Sequence, residues 1–348
     1  GLWQVFDGQD APVSEIFSRE LGLPALGERR FGDENSGMVD DGAASRDWSR
    51  GLFGGYAVYK HEIATLLLPL RAALRLTLIF RDRCPSLRGQ HPTKLVFACS
   101  FNFCKLLLVD VADGGVYAWT GASDVVSLEP AGPVAPPDAP SPLGAVAQAD
   151  GLLRWVEEYV RRLDAGMYAA MSLRPELSPD TRGISLFPVA GREVSHCIAR
   201  GVEVTASCVC MPELKMCWSY SVAFRLVGDA AERGFETCQL HMRRLEVQDG
   251  DQEPDSISRE GVIGFFPILA DGGWRLNKES DPHGQYLRRA GHVPGPFRYQ
   301  SRSGRRLGLR DNLRGEFTFV PGTILEPQGE PFVVRVESFQ LRAPEFIY

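Results

Sequence analysis

The clearest pattern of apolar and polar positions in this chain is a strict alternation between residues 217 and 226. Large apolar side chains and small or polar ones fall on opposite sides of an extended segment with a period of two, which predicts a strand with one buried face. The large side chains are Trp218, Tyr220, Val222, Phe224 and Leu226, and the others are Cys217, Ser219, Ser221, Ala223 and Arg225.

Further strands are predicted after this one, at 240–247, 262–268, 315–320 and 332–341. Turn residues separate them, at 249–250, 272–273, 321–322 and 327–329. A series of short strands with frequent turns predicts a β-sandwich or barrel, which we place at 190–348.

The first half of the chain has a different pattern. A helix is predicted at 13–21, a polar loop at 27–46, and short apolar strands at 94–99, 106–111 and 116–120. Asp113, Gly114 and Gly115 suit a tight turn between the last two strands. Helices around a mostly antiparallel sheet indicate an α+β domain, which we place at 1–180.

A proline- and alanine-rich segment at 129–147 predicts a linker or a long surface loop inside this domain. It is followed by a predicted amphipathic helix at 150–165, with Asp150 as its N-cap and Gly166 as its stop. The apolar face of that helix needs a partner, and the preceding sheet is the nearest one.

Composition limits the possible functions. A chain of 348 residues with 44% hydrophobic and 24% charged residues predicts two ordinary globular domains. A net charge of −6 argues against a nucleic-acid or membrane partner, and Pro69, Arg71 and Arg75 interrupt the longest apolar stretch. The 8 scattered cysteines suit a reducing, intracellular compartment. Because the chain begins at Gly1 within an apparent structural element, we expect it to be part of a longer polypeptide.

A glycine segment is the first candidate for a ligand site. Gly261 and Gly264 continue from Arg259 in the spacing of a G-x-G-x-x-G phosphate motif, but Arg259 stands where the first glycine belongs. Phosphate binding by such a motif requires a helix after it, whereas 265–268 is predicted to continue as a strand. A bulge or tight crossing that only glycine fits is the alternative.

Two other groups of residues are candidate binding sites, one for an anion and one for a metal ion. Arg298 belongs to an arginine-rich segment that is either an anion site or a solvated hairpin loop, and the other members are Arg302, Arg305, Arg306, Arg310 and Arg314. Cys208 and Cys210 share one face of a strand, so they either pack in the core or belong to a zinc site. Since no catalytic motif such as G-x-S-x-G or H-E-x-x-H occurs, we expect no enzyme activity, no catalytic residue, no cofactor and no metal.

Seven segments resemble ApaG domains and occur in the same order along the chain. They are Gly201-Val-Glu-Val-Thr-Ala-Ser, Met211-Pro-Glu-Leu, Trp218-Ser-Tyr-Ser-Val, Gly261-Val-Ile-Gly-Phe-Phe-Pro, Phe297-Arg-Tyr-Gln-Ser, Leu313-Arg-Gly-Glu-Phe-Thr-Phe and Phe339-Gln-Leu-Arg-Ala-Pro. The resemblance implies a fibronectin-III-like β-sandwich. Bacterial ApaG domains carry the full glycine motif, from which Arg259 departs here.

Upstream segments resemble the SUKH-type domain that precedes ApaG in one group of eukaryotic F-box proteins, particularly plant and algal ones. They are Leu2-Trp-Gln-Val-Phe-Asp-Gly-Gln, Gly51-Leu-Phe-Gly-Gly-Tyr, Leu66-Leu-Leu-Pro-Leu and Lys94-Leu-Val-Phe-Ala-Cys-Ser-Phe. In that group an F-box ahead of the SUKH-type domain docks onto the adaptor of a cullin-based ubiquitin ligase, and the later domains select partners. The F-box itself is absent from this sequence.

The resemblance therefore implies a non-catalytic, substrate-recognition part of an F-box protein with a protein substrate as its partner. The rival hypothesis is a module or hydrolase for a small pyrophosphate or nucleotide ligand, which uses Gly261, Gly264, Arg259 and Arg298. A purely structural scaffold is the third possibility, and it differs from the first in lacking the contact with the ligase adaptor.

Overall fold

A computed structural model describes fourteen segments of the chain: residues 51–59, 61–83, 92–100, 105–112, 114–120, 128–130, 151–174, 178–191, 193–211, 217–249, 255–276, 291–302, 311–341 and 346–348. The helix predicted at 13–21, the loop predicted at 27–46 and all of the predicted linker beyond Pro130 lie outside the described residues.

Eight of the described strands form one sheet in the order β6-β5-β4-β3-β2-β1-β8-β7. Its pairs are antiparallel except for β1 and β8, which run parallel. This sheet and its two helices are called the first unit. The strands are β1 (Gly55–Val58), β2 (His61–Leu67), β3 (Lys94–Ser100), β4 (Lys105–Asp110), β5 (Val116–Thr120), β6 (Leu128–Pro130), β7 (Ala169–Arg174) and β8 (Ser178–Ser185).

The three strands predicted for this region are confirmed as β3, β4 and β5 within one residue at each end. Glu129 and Pro130 correct the predicted linker, because they belong to β6 and pair with Ala118 and Tyr117 of β5. A proline can occupy such an edge strand because the edge needs no donor from it.

Two helices pack on this sheet. α1 (Leu70–Arg83) was not predicted; it begins after Pro69, and Thr77 Oγ1 accepts a hydrogen bond from the Val96 amide of β3. α2 (Gly151–Asp164) confirms the helix predicted at 150–165, and Gly166 ends it in the left-handed conformation with φ 66°. The buried Trp155 and Tyr159 of α2 pack edge-to-face on Phe53, so α2 covers the core of the first unit.

The remaining strands form a β-sandwich, as the alternating pattern predicts. One sheet has the order β17-β11-β10-β9, and the other has the order β16-β15-β14-β12-β18-β19 with β13 paired to β12. A short helix, α3 (Ala230–Arg233), follows β11. The strands are β9 (Val194–Ala199), β10 (Val202–Met211), β11 (Cys217–Leu226), β12 (Cys238–Asp249), β13 (Asp255–Glu260), β14 (Ile268–Ala270), β15 (Gly273–Arg275), β16 (Val293–Pro294), β17 (Phe297–Arg302), β18 (Asp311–Pro321) and β19 (Phe332–Leu341).

Side chains from both sheets fill the sandwich core. Phe224 of β11 lies 4.8 Å from Phe317 of β18 and 6.1 Å from Tyr299 of β17, between ring centroids. Trp218, Val222 and Phe224 all belong to this core, which confirms the inward face predicted from the alternation.

The strand predicted at 262–268 is wrong over most of its length. Only Ile268 belongs to a strand, while 261–265 forms a tight turn closed by a bridge between Val262 and Phe265. Three residues of this turn have positive φ: Gly261 at 59°, Ile263 at 44° and Gly264 at 86°. Backbone that is left-handed at three of the four positions 261–264 cannot continue a strand. The strand in this part of the chain is β13, which was not predicted and ends immediately before the turn.

The outer face of β11, which carries the small and polar side chains, is buried at the junction with the first unit. Ser219 and Ser221 are at most 1% exposed. Gln300 lies on this outer face, and its side-chain amide donates to the Ala57 and Leu173 carbonyls of the first unit. On the inward face, Tyr59 Oη of the first unit lies 2.7 Å from Ser301 Oγ, which is opposite Tyr220. The two units therefore share an extended contact.

Residues 346–348 return from the sandwich to the first unit. Tyr348 is 3% exposed and packs on Trp155, with ring centroids 4.7 Å apart. Trp155 Nε1 donates to the Ile347 carbonyl at 2.9 Å, and the buried Lys105 ammonium donates to the Tyr348 carbonyl. This returning segment adds a second connection between the two units, one that the predicted boundary at 190–348 does not anticipate.

Candidate functional site

The glycine segment forms a turn that uses its own backbone donors. The Gly261 amide donates to the His241 carbonyl, and Val262 and Phe265 exchange both of their backbone hydrogen bonds at 2.9 and 2.8 Å. These three amides are therefore engaged within the protein, and β14 rather than a helix follows the turn. A phosphate site of the G-x-G-x-x-G kind needs open amides at the start of a helix.

The two glycines differ in why glycine is required. Gly261 is buried at φ 59°, and a Cβ at this position would collide with the Phe265 carbonyl oxygen. Gly264 is exposed at φ 86°, and a Cβ there would meet nothing within 4 Å. Packing and backbone conformation both explain Gly261, while conformation alone explains Gly264.

Arg259 lies on β13 directly opposite Arg243 on β12. Directly paired residues share one face of a sheet, so the two guanidinium groups extend from the same side. Arg259 is exposed and Arg243 is half-buried. We call these two residues the arginine pair. Arg243 could not be found from the sequence, because only the register of the two strands places it beside Arg259.

The buried part of Arg243 has polar atoms without partners. Its Nε and Nη1 atoms are inaccessible to solvent and make no hydrogen bond within the described part of the chain. Its guanidinium carbon lies 6.0 Å from the centre of the Tyr299 ring, and the Arg243 charge acts on the buried Tyr299 hydroxyl. Burial raises the pKa of Tyr299 well above its ordinary value, so this phenol remains protonated.

A second tyrosine borders the same region. Burial raises the pKa of Tyr220, whose ring centroid lies 6.1 Å from that of Tyr299. The domain junction is close, since Tyr59 of the first unit contacts Ser301 of β17. The arginine pair thus lies near the neutral hydroxyl groups of Tyr299 and Tyr220.

The structure does not bring Arg298 to the arginine pair. Phe297 and Tyr299 point into the sandwich core, so Arg298 between them points out of the opposite face, toward the first unit. Its Nη1 donates to Ser221 Oγ at 3.3 Å, and burial lowers the pKa of its guanidinium. Of the four candidate ligand residues, Gly261 and Arg259 are neighbours near β13, whereas Arg298 lies on the other side of its sheet.

The paired cysteines are part of the sandwich core. Cys208 and Cys210 are buried there, and burial raises the pKa of Cys208. A search of the described residues finds no cluster of three or more His, Cys, Asp or Glu side chains arranged for a metal ion. None of the helices in those residues is both long enough and apolar enough to cross a membrane.

Comparisons with known proteins give one clear sequence relative. The chain is 28% identical over 313 residues to F-box protein SKIP16 of Arabidopsis thaliana, and the match covers 87% of this chain. It spans 65% of the length of that relative. No protein-family model matches the chain.

Two solved structures resemble parts of the chain. The putative ApaA protein from Bordetella pertussis is 20% identical, with a TM-score of 0.29, and the match covers 41% of this chain and 94% of that protein. A second structural-genomics target is 13% identical, with a TM-score of 0.30, and covers 43% of this chain and 93% of its own. Both TM-scores are too low to define the fold of this chain.

Proposed function

We propose that this chain is the substrate-recognition part of an F-box protein in a cullin-based ubiquitin ligase. The observation that carries the proposal is the similarity to F-box protein SKIP16. Neither structural unit alone makes up 87% of the chain, so the match extends over both of them. A match that extends over both units supports a shared role more strongly than a match to one of them would.

In this proposal the first unit is the SUKH-like domain and the sandwich is the ApaG-like domain. The order of the units supports this assignment, because the α+β unit precedes the sandwich here, just as the SUKH-type domain precedes ApaG in that group of F-box proteins. An F-box would lie upstream of Gly1 and would hold the ligase adaptor. The chain would then act inside the cell, in the cytoplasm or the nucleus.

We infer that recognition occurs by surface complementarity and that the chain catalyses no reaction. Described thiols such as Cys208 and Cys238 lie in the sandwich core, where burial raises their pKa values and keeps them protonated. Protonated thiols are poor nucleophiles. The contacts between the units support a single body that presents one composite surface to a protein substrate.

The proposal is tested by co-purification with the ligase adaptor. We would compare the 348-residue chain with the longer polypeptide encoded when the codons upstream of Gly1 are included. The longer polypeptide is expected to co-purify with the adaptor. The 348-residue chain is expected to purify without it. If neither polypeptide retains the adaptor, membership of the ligase is refuted.

A further inference from the structure

We propose that the free edge of β13 binds an extended acidic peptide segment of a partner protein, with one of its carboxylates held by the arginine pair. The inference rests on the proposed function, because it names the surface and the kind of partner through which substrate recognition would occur. Three features of the described residues support it: two adjacent unpaired cations, an available strand edge, and an apolar position at the correct spacing.

The first feature is positive charge without a matching acid. Residues near the arginine pair on its face of the sheet are Ile257, Leu245 and Phe317, none of which is acidic. Like charges directly opposite each other on neighbouring strands destabilise a sheet. A carboxylate between the two guanidinium groups would remove that repulsion.

The second feature is the buried part of Arg243. A buried guanidinium that lacks hydrogen-bond acceptors carries a desolvation cost, and Nε and Nη1 of Arg243 have none among the described residues. Arg243 as a whole is half-buried, and it pairs directly with the exposed Arg259. An anion bound there gains charge-assisted hydrogen bonds in a partly desolvated setting.

The third feature is the strand edge itself. Among the described strands β13 pairs only with β12, and residues 256–260 are exposed along its length. An edge strand offers a row of backbone donors and acceptors to an added strand. Peptides that bind by strand addition gain affinity from these bonds and specificity from alternate side chains.

The geometry of β13 defines the sequence that would fit. Ile257 is 48% exposed and lies two residues before Arg259, so both face the same side. It also pairs with Leu245, a member of the sandwich core. An antiparallel partner strand would place an acidic residue opposite Arg259 and, two residues later, an apolar residue opposite Ile257. The expected motif is therefore acidic, any residue, apolar.

The test uses synthetic threonine-rich peptides with a fluorescent label, titrated with the 348-residue protein and followed by anisotropy. One peptide carries a central glutamate–threonine–valine, and its control carries lysine in place of glutamate. The glutamate peptide is expected to bind more tightly than the lysine peptide by roughly tenfold or more. Equal binding of the two peptides, or no binding of the glutamate peptide at millimolar concentration, would overturn the proposal.

Three variants assign the binding to this surface. Arg259→Glu should reverse the preference of the two peptides, and Arg243→Met should weaken the glutamate peptide. Arg335→Glu is the matched control, because Arg335 is an exposed arginine on the other edge strand, β19, and should change nothing. If Arg335→Glu weakens binding as much as Arg259→Glu does, the effect is one of net charge and the site is refuted.

These measurements separate this inference from the proposed function. Arg259→Glu lies on the exposed edge of the sandwich and should leave co-purification of the longer polypeptide with the ligase adaptor unchanged. Loss of the peptide preference with adaptor binding intact refutes only the β13 site. Peptide binding without adaptor binding by any form of the protein refutes only membership of the ligase.

Discussion

Truncation of Tyr348 to alanine should destabilise the first unit, although Tyr348 follows the sandwich strands in the sequence. The Tyr348 ring contacts Trp155 and Tyr159 of α2, with centroid distances of 4.7 and 4.9 Å. Its hydroxyl donates to the Trp155 carbonyl at 3.2 Å, and the Arg162 guanidinium carbon lies 5.5 Å from the ring centre. Tyr348→Ala removes all of these side-chain contacts but keeps the carbonyl that Lys105 contacts.

The magnitude follows from what is removed. Truncation of a buried aromatic side chain to alanine costs about 3–5 kcal/mol, which includes the cavity that remains. Tyr348 is 3% exposed, so it belongs in this range. Tyr348→Phe keeps the ring and loses one hydrogen bond, which costs about 1 kcal/mol. We therefore expect losses of about 4 and about 1 kcal/mol, respectively.

The assay is urea unfolding followed by tryptophan fluorescence, since Trp155 reports on the unit into which Tyr348 inserts. Leu325→Ala is the control; Leu325 is 69% exposed in the sandwich and should change the free energy of unfolding by less than about 0.5 kcal/mol. The reasoning is refuted if Tyr348→Ala lowers the free energy of unfolding no more than Leu325→Ala does. Such a result would mean that residues 346–348 do not hold the units together.

Three further substitutions test separate parts of the structure. Burial opposes ionisation of Asp110, but hydrogen bonds from Lys94 at 2.7 Å, from Thr93 and from the Ala112 amide, together with the Lys94 charge, lower its pKa from 3.8 to about 2. Because the folded-state pKa is the lower one, these interactions together contribute about 2 kcal/mol above pH 4 that disappears toward pH 2. Asp110→Asn should remove that acid-dependent part of a pH-stability curve. Gly261→Ala should lower the melting temperature more than Gly264→Ala, since only the former adds a collision with Phe265; equal shifts would contradict this. Arg298→Met should raise the free energy of unfolding by less than about 1 kcal/mol, because it removes a desolvated cation, and a clear loss of stability in urea would count against that interpretation.

The sequence predicted those elements whose local pattern decides their structure. The limits of β5 and β19 agree to the residue with the predicted strands, because alternation and flanking turn residues both act over a few positions. The inward face of β11 was equally evident from its large side chains. The helix α2 followed from its apolar face and from Gly166.

Features that depend on tertiary contacts could not be read in this way. Ser219 and Ser221 look solvent-facing in the sequence, since small polar residues give no sign of the unit that buries them. The turn at 261–265 resembles a strand in composition, and its positive φ angles become evident only in the structure. Arg243 lies 16 positions before Arg259 in the chain, and strand pairing alone makes the two neighbours.

We propose that this chain selects partners for a ubiquitin ligase as part of a longer polypeptide that contains it. The most direct measurement is size-exclusion chromatography with light scattering on the purified ligase adaptor, mixed either with the longer polypeptide or with the 348-residue chain. The longer polypeptide is expected to form a one-to-one complex with the adaptor, whereas the 348-residue chain and the adaptor should elute separately. Separate elution in both mixtures would contradict the proposal.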